Sequence, residues 1–448
     1  MSSGNDSIAD ALVDFALALT PEAIPQPVIE RARLLILDGA GVALAAVARG
    51  MDRPYAAAIR AGAASGTHRV IGRSDLWSMR DAAFLNGVLI HAIEFDDTHM
   101  EAVLHPTATA LPAALAVAEH VGASDDELLA AYIAGVEVSA RLGALAPGRF
   151  QASGFHPTGV IGCFAAAIAA GRLLGLDRAR LLSAIGIALS TASGSMQFLQ
   201  GGGIGKSLHA GWAAQSGLTA ALLAAEGLAG ARLPLTGRHG LFESFARGLP
   251  DADRVDAKLR NLGRDWETLV VAVKPYPAAF YSHGCIEAAI HLAASHELSP
   301  SDIASVEVLV PPPVLPKLAE PFAAKAAPAS VSEAQFALPF LVARALVARR
   351  FGLGQLDPET LADPATLDLA RRVVCRGDAG MDFPRVYSGE VSVTCHDGRR
   401  LGHRVEVNLG AIERPVDPRF ILAKFRDNLG ASDPDRLGRA RSLLGSLL

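Results

Sequence analysis

The chain has 448 residues, half of them hydrophobic but only 6% aromatic, and a formal net charge of -5. That length accommodates two or three domains and a large core, and the lack of a basic run argues against nucleic acid as a partner. Its four cysteines, Cys163, Cys285, Cys375 and Cys395, are too scattered for a disulfide framework, a structural zinc site or an iron–sulfur cluster, so a reducing compartment is expected. The first residues lack a basic start and an apolar segment of the signal-peptide kind. No apolar run approaches the ~20 residues of a membrane helix. A cytoplasmic protein with no membrane contact is the expectation.

In chain order, Ser7 to Leu19 reads as a short amphipathic helix, and Pro25 and Pro27 open a second. Ser78 caps a helix that delivers the polar stretch His91 to His99. Continued through that stretch, the helix would place His91, Glu94 and Phe95 on one face. Leu111 to Val121 is helical, and the Ser124–Glu127 capping box opens Leu128 to Leu142. Gly159 to Leu174, Arg178 to Ser193 and Ser207 to Ala225 are apolar nearly all round, as buried helices are. Near residue 270 the pattern changes. Val306 to Val310 alternates like a strand, and Glu390 to Cys395 with His403 to Val407 form a hairpin around Asp397-Gly398. Val331 to Arg349, Asp363 to Val373 and Lys424 to Leu448 read as helices. The expected architecture is mainly α: a large helical domain, 1–270 plus 406–448, and a smaller α+β domain, 271–405.

Polar residues concentrate in four islands within this apolar chain. The first holds His91, Glu94, Asp96, Asp97, Thr98, His99 and His105. The others are His156-Pro157-Thr158, Lys206 to His209, and Lys274 to Pro277 with His283. Charges at the edge of a core must pair or titrate, so the islands are expected to meet in one pocket that handles protons. Any one of these histidines taken alone is more often a hydrogen-bonded core residue; their recurrence with lysine at chain breaks favours a site. Gly201 to Ser207 lacks the glycine spacing of a phosphate loop, and no strand precedes it. It reads as a turn placing Lys206 at a helix start, where a carboxylate can bind. Glu94, Asp96, Asp97, His99 and His105 could ligate a divalent metal, but their spacing matches no standard motif, and no metal is expected. No Gly-x-Ser-x-Gly elbow is present.

These islands, in this order, resemble the MmgE/PrpD family. The resemblance is carried by Asn86-Gly87, His91-Ala92, Phe95 to Thr98, His105-Pro106, Leu111 to Ala113, His156 to Thr158, Lys206-x-x-His209-x-Gly211, Lys274 to Pro277 and Gln335 to Pro339. It implies that the smaller domain is a lid inserted into the helical one, with the active site between them, a homodimer, and no metal or organic cofactor. Carried over, the catalytic set is Asp96, His105, His156, Lys206, Lys274 and His283. Glu94, Asp97, Thr98 and His209 would contact the substrate. Three departures stand out. Members commonly carry Asp at Glu94. Dehydratases commonly show Cys-Cys-Arg where this chain has Ala278-Ala279-Phe280, and the decarboxylase has a catalytic-site histidine at Ala279.

The chemistry implied is proton abstraction, or loss of carbon dioxide, next to a carboxylate of a small di- or tricarboxylate. A cofactor-independent dehydratase similar to 2-methylcitrate dehydratase is the first expectation, and the Ala279 departure counts against cis-aconitate decarboxylation. An epimerase of an imino- or amino-dicarboxylate, such as iminodisuccinate, is the alternative. Behind these stand a non-catalytic binding protein and a metal-dependent hydratase.

Overall fold

A computed structural model of the chain describes residues 6–62, 66–199, 205–430 and 434–447. It is mainly helical, with one four-stranded sheet among the described residues. Contacts group it into two compact units. Among the described residues, the first comprises 6–62, 66–198, 205–273, 417–430 and 434–447, and the second Leu199 with Lys274–Val416.

The first unit is built of helices. Local start signals act where the sequence places them: Ser78 Oγ accepts from the Asp81 amide at 3.2 Å, and Ser124 and Glu127 form a reciprocal capping box. The helices Met79–His91, Thr107–Val121, Pro157–Leu173 and Gly205–Ala225 pack closely because small residues line their crossings. A Cβ on Gly87 would stand 2.8 Å from the Gly211 Cα, and one on Gly211 would stand 2.5 Å from the Phe84 carbonyl oxygen. Any larger side chain there would force the two helices apart. Their close approach carries the end of Met79–His91 to the first turn of Gly205–Ala225. Among the described residues, no single helix is long and apolar enough to cross a membrane.

The second unit carries the sheet, in the order β2-β1-β3-β4. Strand β1 (Ile303–Val310) pairs in parallel with β2 (Val373–Gly377) and antiparallel with β3 (Gly389–Cys395), which forms a hairpin with β4 (Arg400–Val405). Gly398 closes that hairpin at a φ of 89°. The helix His283–Ser295 packs on β3 and β4, and Leu338–Ala348 packs on β2.

The elements differ from expectation where long-range contacts or prolines intervene. Val331 to Arg349 is two helices, Val331–Ala334 and Leu338–Ala348, and Pro339 sits in the first turn of the second. A proline lacks the N–H needed to continue a helix and favours a helix start. The helix Arg178–Leu189 ends earlier than Ser193, and Pro364–Arg371 gives way to β2 at Val373. The C-terminal segment holds two helices, Pro418–Leu429 and Pro434–Leu444.

A buried polar network underlies the first unit. Lys424 Nζ lies 2.7 Å from Asp38 Oδ1, donates to the Phe95 carbonyl at 2.7 Å, and sits 3.9 Å from the centroid of the Phe95 ring. Beside it, Thr107 Oγ1 donates to the Asp97 carboxyl and lies 2.6 Å from the Tyr132 hydroxyl. Burial pushes the Asp97 carboxyl up to about 8; the Thr107 hydrogen bond opposes the shift, and the nearby carboxylates of Asp96 and Asp38 add to it.

Two outcomes follow. Lys424→Met leaves the Asp38 carboxylate buried without its cation and should cost about 3–5 kcal/mol in denaturant unfolding, with Asp38→Asn in the same chain recovering part of the loss. Asp97 stays protonated in the fold up to about pH 8 but ionises near pH 4 in the unfolded chain. Its contribution therefore falls as pH rises through that window, by at most about 1.4 kcal/mol per pH unit. Melting curves from pH 5 to pH 8 should show Asp97→Asn gaining steadily on the wild type.

Candidate active site

The helix Met79–His91 stops at His91, so the expected shared face of His91, Glu94 and Phe95 does not form. Instead the chain turns, with Glu94 at a φ of 52°. Two contacts hold the turn. The Phe95 carbonyl is taken by Lys424, and the Asp96 carboxylate folds back to accept from His91 Nδ1 at 2.6 Å. Thr98 then pairs with Ala272 through both of its main-chain groups, each at 2.8 Å.

Three helix starts converge on this turn. The His105 amide donates to Thr158 Oγ1 at 3.2 Å just before Pro106 caps Thr107–Val121. His156 caps Pro157–Leu173. Lys206 is the second residue of Gly205–Ala225, and His209 follows one turn later. The glycines ahead of Gly205 lie outside the described residues.

The structure brings together His91, Glu94, Asp96, Thr98, His105, His156, Lys206 and His209 within the first unit. His105 Nδ1 donates to the Asp97 carbonyl at 2.6 Å, with Thr98 Oγ1 at 3.3 Å and Asp96 Oδ2 at 3.5 Å. That acceptor fixes the proton on Nδ1 and leaves Nε2 as the basic nitrogen. His156 and His209 share a hydrogen bond between their Nδ1 atoms at 3.1 Å, and the Phe198 ring packs edge-on against both. The imidazole centroids of His91 and His105 are 4.7 Å apart, and those of His91 and His156 are 5.5 Å apart. Lys206 Nζ pairs with the Glu94 carboxylate.

Burial lowers the pKa of His91, against the pull of Asp96. Burial also lowers that of His209, with His91 and Lys206 adding their repulsion, to about 4. Both rings are therefore neutral at neutral pH. His91 Nε2 is buried and has no hydrogen-bond partner among the described residues.

His91 is the member that sequence reasoning left out. It is absent from the expected catalytic and substrate-contact sets, yet it stands one turn beyond Gly87 on the face that meets Gly211, and residues four apart share a face. Asp97 turns its carbonyl to His105, and its carboxyl accepts from Thr107. His99 leaves the metal set, because its Nε2 pairs with Glu267 at 2.9 Å. Three other donors, one each from His91, His105 and His156, lie within 4.8 Å of one another. They form the group here that a divalent ion would suit.

Lys274 and His283 belong to the second unit. Lys274 is fully buried. His283 opens the helix His283–Ser295, with Nε2 3.0 Å from the Ala278 carbonyl and the rings of Tyr276 and Phe280 edge-on to its own. Ala279 and Phe280 are buried beside it in sequence.

The sequence matches the MmgE/PrpD N-terminal domain over residues 10–252 and the MmgE/PrpD C-terminal domain over residues 276–442. It is similar to a cis-aconitate decarboxylase of Aspergillus terreus, 29% identical across 99% of this chain and 94% of that protein. It is also similar to the human cis-aconitate decarboxylase, 30% identical across 79% of this chain and 75% of that protein, and to the mouse enzyme, 27% identical across 94% and 86%. Two family domains in the family's order, matched over most of the chain, make this protein a member of the MmgE/PrpD family.

Proposed function

We propose that the chain is a lyase acting on a small di- or tricarboxylate, by forming an enolate-like carbanion next to a carboxylate. The observation that carries this reading is the placement of Lys206, a cation at a helix start, against histidines whose tautomers are fixed by their partners. A carbanion needs a neutral base of pKa near the working pH and a preorganised cation for the charge that develops.

In this reading, His105 Nε2 removes the proton on carbon, and the Asp97 carbonyl holds its ring. Lys206 stabilises the charge that develops on the substrate oxygens. The His156–His209 pair delivers a proton to the leaving hydroxyl, so that one C–H and one C–O bond break and water departs. Asp96 orients His91 behind them, and Thr98 contacts a substrate oxygen. Lys274 is assigned a second substrate carboxylate and His283 a second acid, as the family resemblance implies.

Dehydration is the first reading, because Ala279 stands where the resemblance places a decarboxylase histidine. Decarboxylation is the second, favoured by the activity named for the similar proteins, and it passes through a carbanion of the same kind.

The test is incubation in heavy water with 2-methylcitrate, citrate, cis-aconitate and iminodisuccinate, followed by NMR of the carbon-bound protons. Exchange or loss at one α-position is expected, with an alkene product for dehydration and carbon dioxide for decarboxylation. Inversion without loss would show epimerisation instead. Lys206→Ala should lower kcat/KM by about 10²–10³-fold; unchanged turnover and affinity would refute its role. Dialysis against a chelator should leave turnover unchanged, whereas its loss on dialysis and return with added metal would move the three histidines to a metal-dependent mechanism.

A further inference from the structure

The rings of His91, His105 and His156 each bring one nitrogen to within 4.8 Å of the other two. Each ring is anchored through its Nδ1. His91 donates to the Asp96 carboxylate at 2.6 Å, His105 donates to the Asp97 carbonyl at 2.6 Å, and His156 shares a hydrogen bond with His209 at 3.1 Å. An acceptor behind Nδ1 fixes the tautomer that has its lone pair at Nε2, and proteins hold metal-binding imidazoles in this way. With the shared proton on His156, its Nε2 carries a lone pair as well. Asp96 stands behind two of the three rings, since its Oδ2 is also 3.5 Å from His105 Nδ1. A second observation comes from His91 itself. The residue is 2% exposed, and its Nε2 is buried with no hydrogen-bond partner among the described residues. A buried lone pair without a partner costs stability, and a ligand that takes it recovers the loss.

The geometry points to a site for one zinc ion, held by His91, His105 and His156. The donor set chooses the metal, because neutral imidazoles suit zinc whereas magnesium and calcium require oxygen ligands. Three protein ligands suffice for zinc and leave its fourth position to water. Lys206, whose charge adds to burial in lowering the pKa of His91, opposes any cation here. Binding therefore depends on the three lone pairs together. A lone pair cannot hold a proton and a metal ion at once, so zinc on His105 Nε2 removes the base assigned under Proposed function and inhibits turnover. That consequence rests on the catalytic reading; the site itself does not.

The experiment is calorimetric titration of chelator-dialysed protein with zinc chloride and with magnesium chloride, for the wild type, His91→Gln, Asp96→Asn and His403→Ala. The wild type should bind one zinc per chain and no magnesium. His91→Gln keeps an amide that can donate to Asp96 and should weaken zinc by ~100-fold or more; Asp96→Asn should weaken it by ~10–100-fold. His403 stacks on His291, ring centroids 4.0 Å apart, and is another place where two imidazoles meet. His403→Ala should leave zinc binding unchanged. Thermal melting identifies which variants are folded, and the wild-type result needs no variant. No zinc bound by the wild type, equal affinity in folded His91→Gln, or loss of zinc in folded His403→Ala overturns the site and leaves the catalytic reading untouched. In the turnover assay, zinc should inhibit and a chelator should reverse it. Zinc bound as expected with turnover unchanged would remove His105 as the base and leave the site standing. Zinc bound as expected, with no turnover on any substrate, would sink the catalytic reading alone.

Discussion

The geometry of the site depends on one buried ammonium. Lys424, from the C-terminal part of the chain, bridges the Asp38 carboxylate on an N-terminal helix and the carbonyl of Phe95. It thereby holds the turned segment that follows the helix end at His91, where Glu94 takes a left-handed φ. Only in the turned form can Asp96 reach back to His91 and Asp97 aim its carbonyl at His105. The neighbouring acid is handled in the opposite way. Asp38 is paired with Lys424, whereas Asp97 forms no ion pair among the described residues and is held protonated by burial. A buried carboxyl has these two solutions, and the network uses one of each.

Helix ends supply the rest. His105 and His156 stand just ahead of helices, and Lys206 lies in the first turn of another. An ammonium at a helix N-terminus adds to the positive end of the dipole, so the two repel and together call for an anion. Glu94 supplies that anion from inside the chain. The same excess of positive potential helps keep His209 neutral, so the cation and the neutral ring arise from one arrangement.

What was legible in the sequence was local. Ser78 and Ser124 cap helices because a hydroxyl three residues ahead of an amide is a short-range geometry. The β3–β4 hairpin was legible from its alternation and from Asp397-Gly398, which supplies the positive φ of its turn. Strand β2 was not. It is five residues long, pairs on one side, and exposes most of its length, so it carries no alternation to read. The mainly helical character was plain, but the end of the helix at His91 was hidden. The turn beyond it is held by Lys424, 329 residues from Phe95, and pattern along the chain cannot reveal such a contact. His99 misled for the same reason, because its partner Glu267 is 168 residues away. The sorting of the first island into His91, His105 and Asp96 on one side and His99 on the other is a tertiary fact.

The contact between His156 and His209 places a further condition on the chemistry. A hydrogen bond between two Nδ1 atoms requires a proton on one ring and a lone pair on the other. If both rings are neutral, the donor has a bare Nε2 and the acceptor an Nε2–H. The pair then presents one basic and one acidic nitrogen from two identical side chains. Exchanging those roles requires the shared proton to cross the 3.1 Å while the basic Nε2 gains a proton and the acidic Nε2 loses one, so that both rings stay neutral. A pair that gives its Nε2 proton to a departing group regains one at the other Nε2 by that exchange before the next turnover. The depressed pKa of His209 serves it by keeping the second proton off the pair, since an imidazolium there would have no lone pair with which to accept.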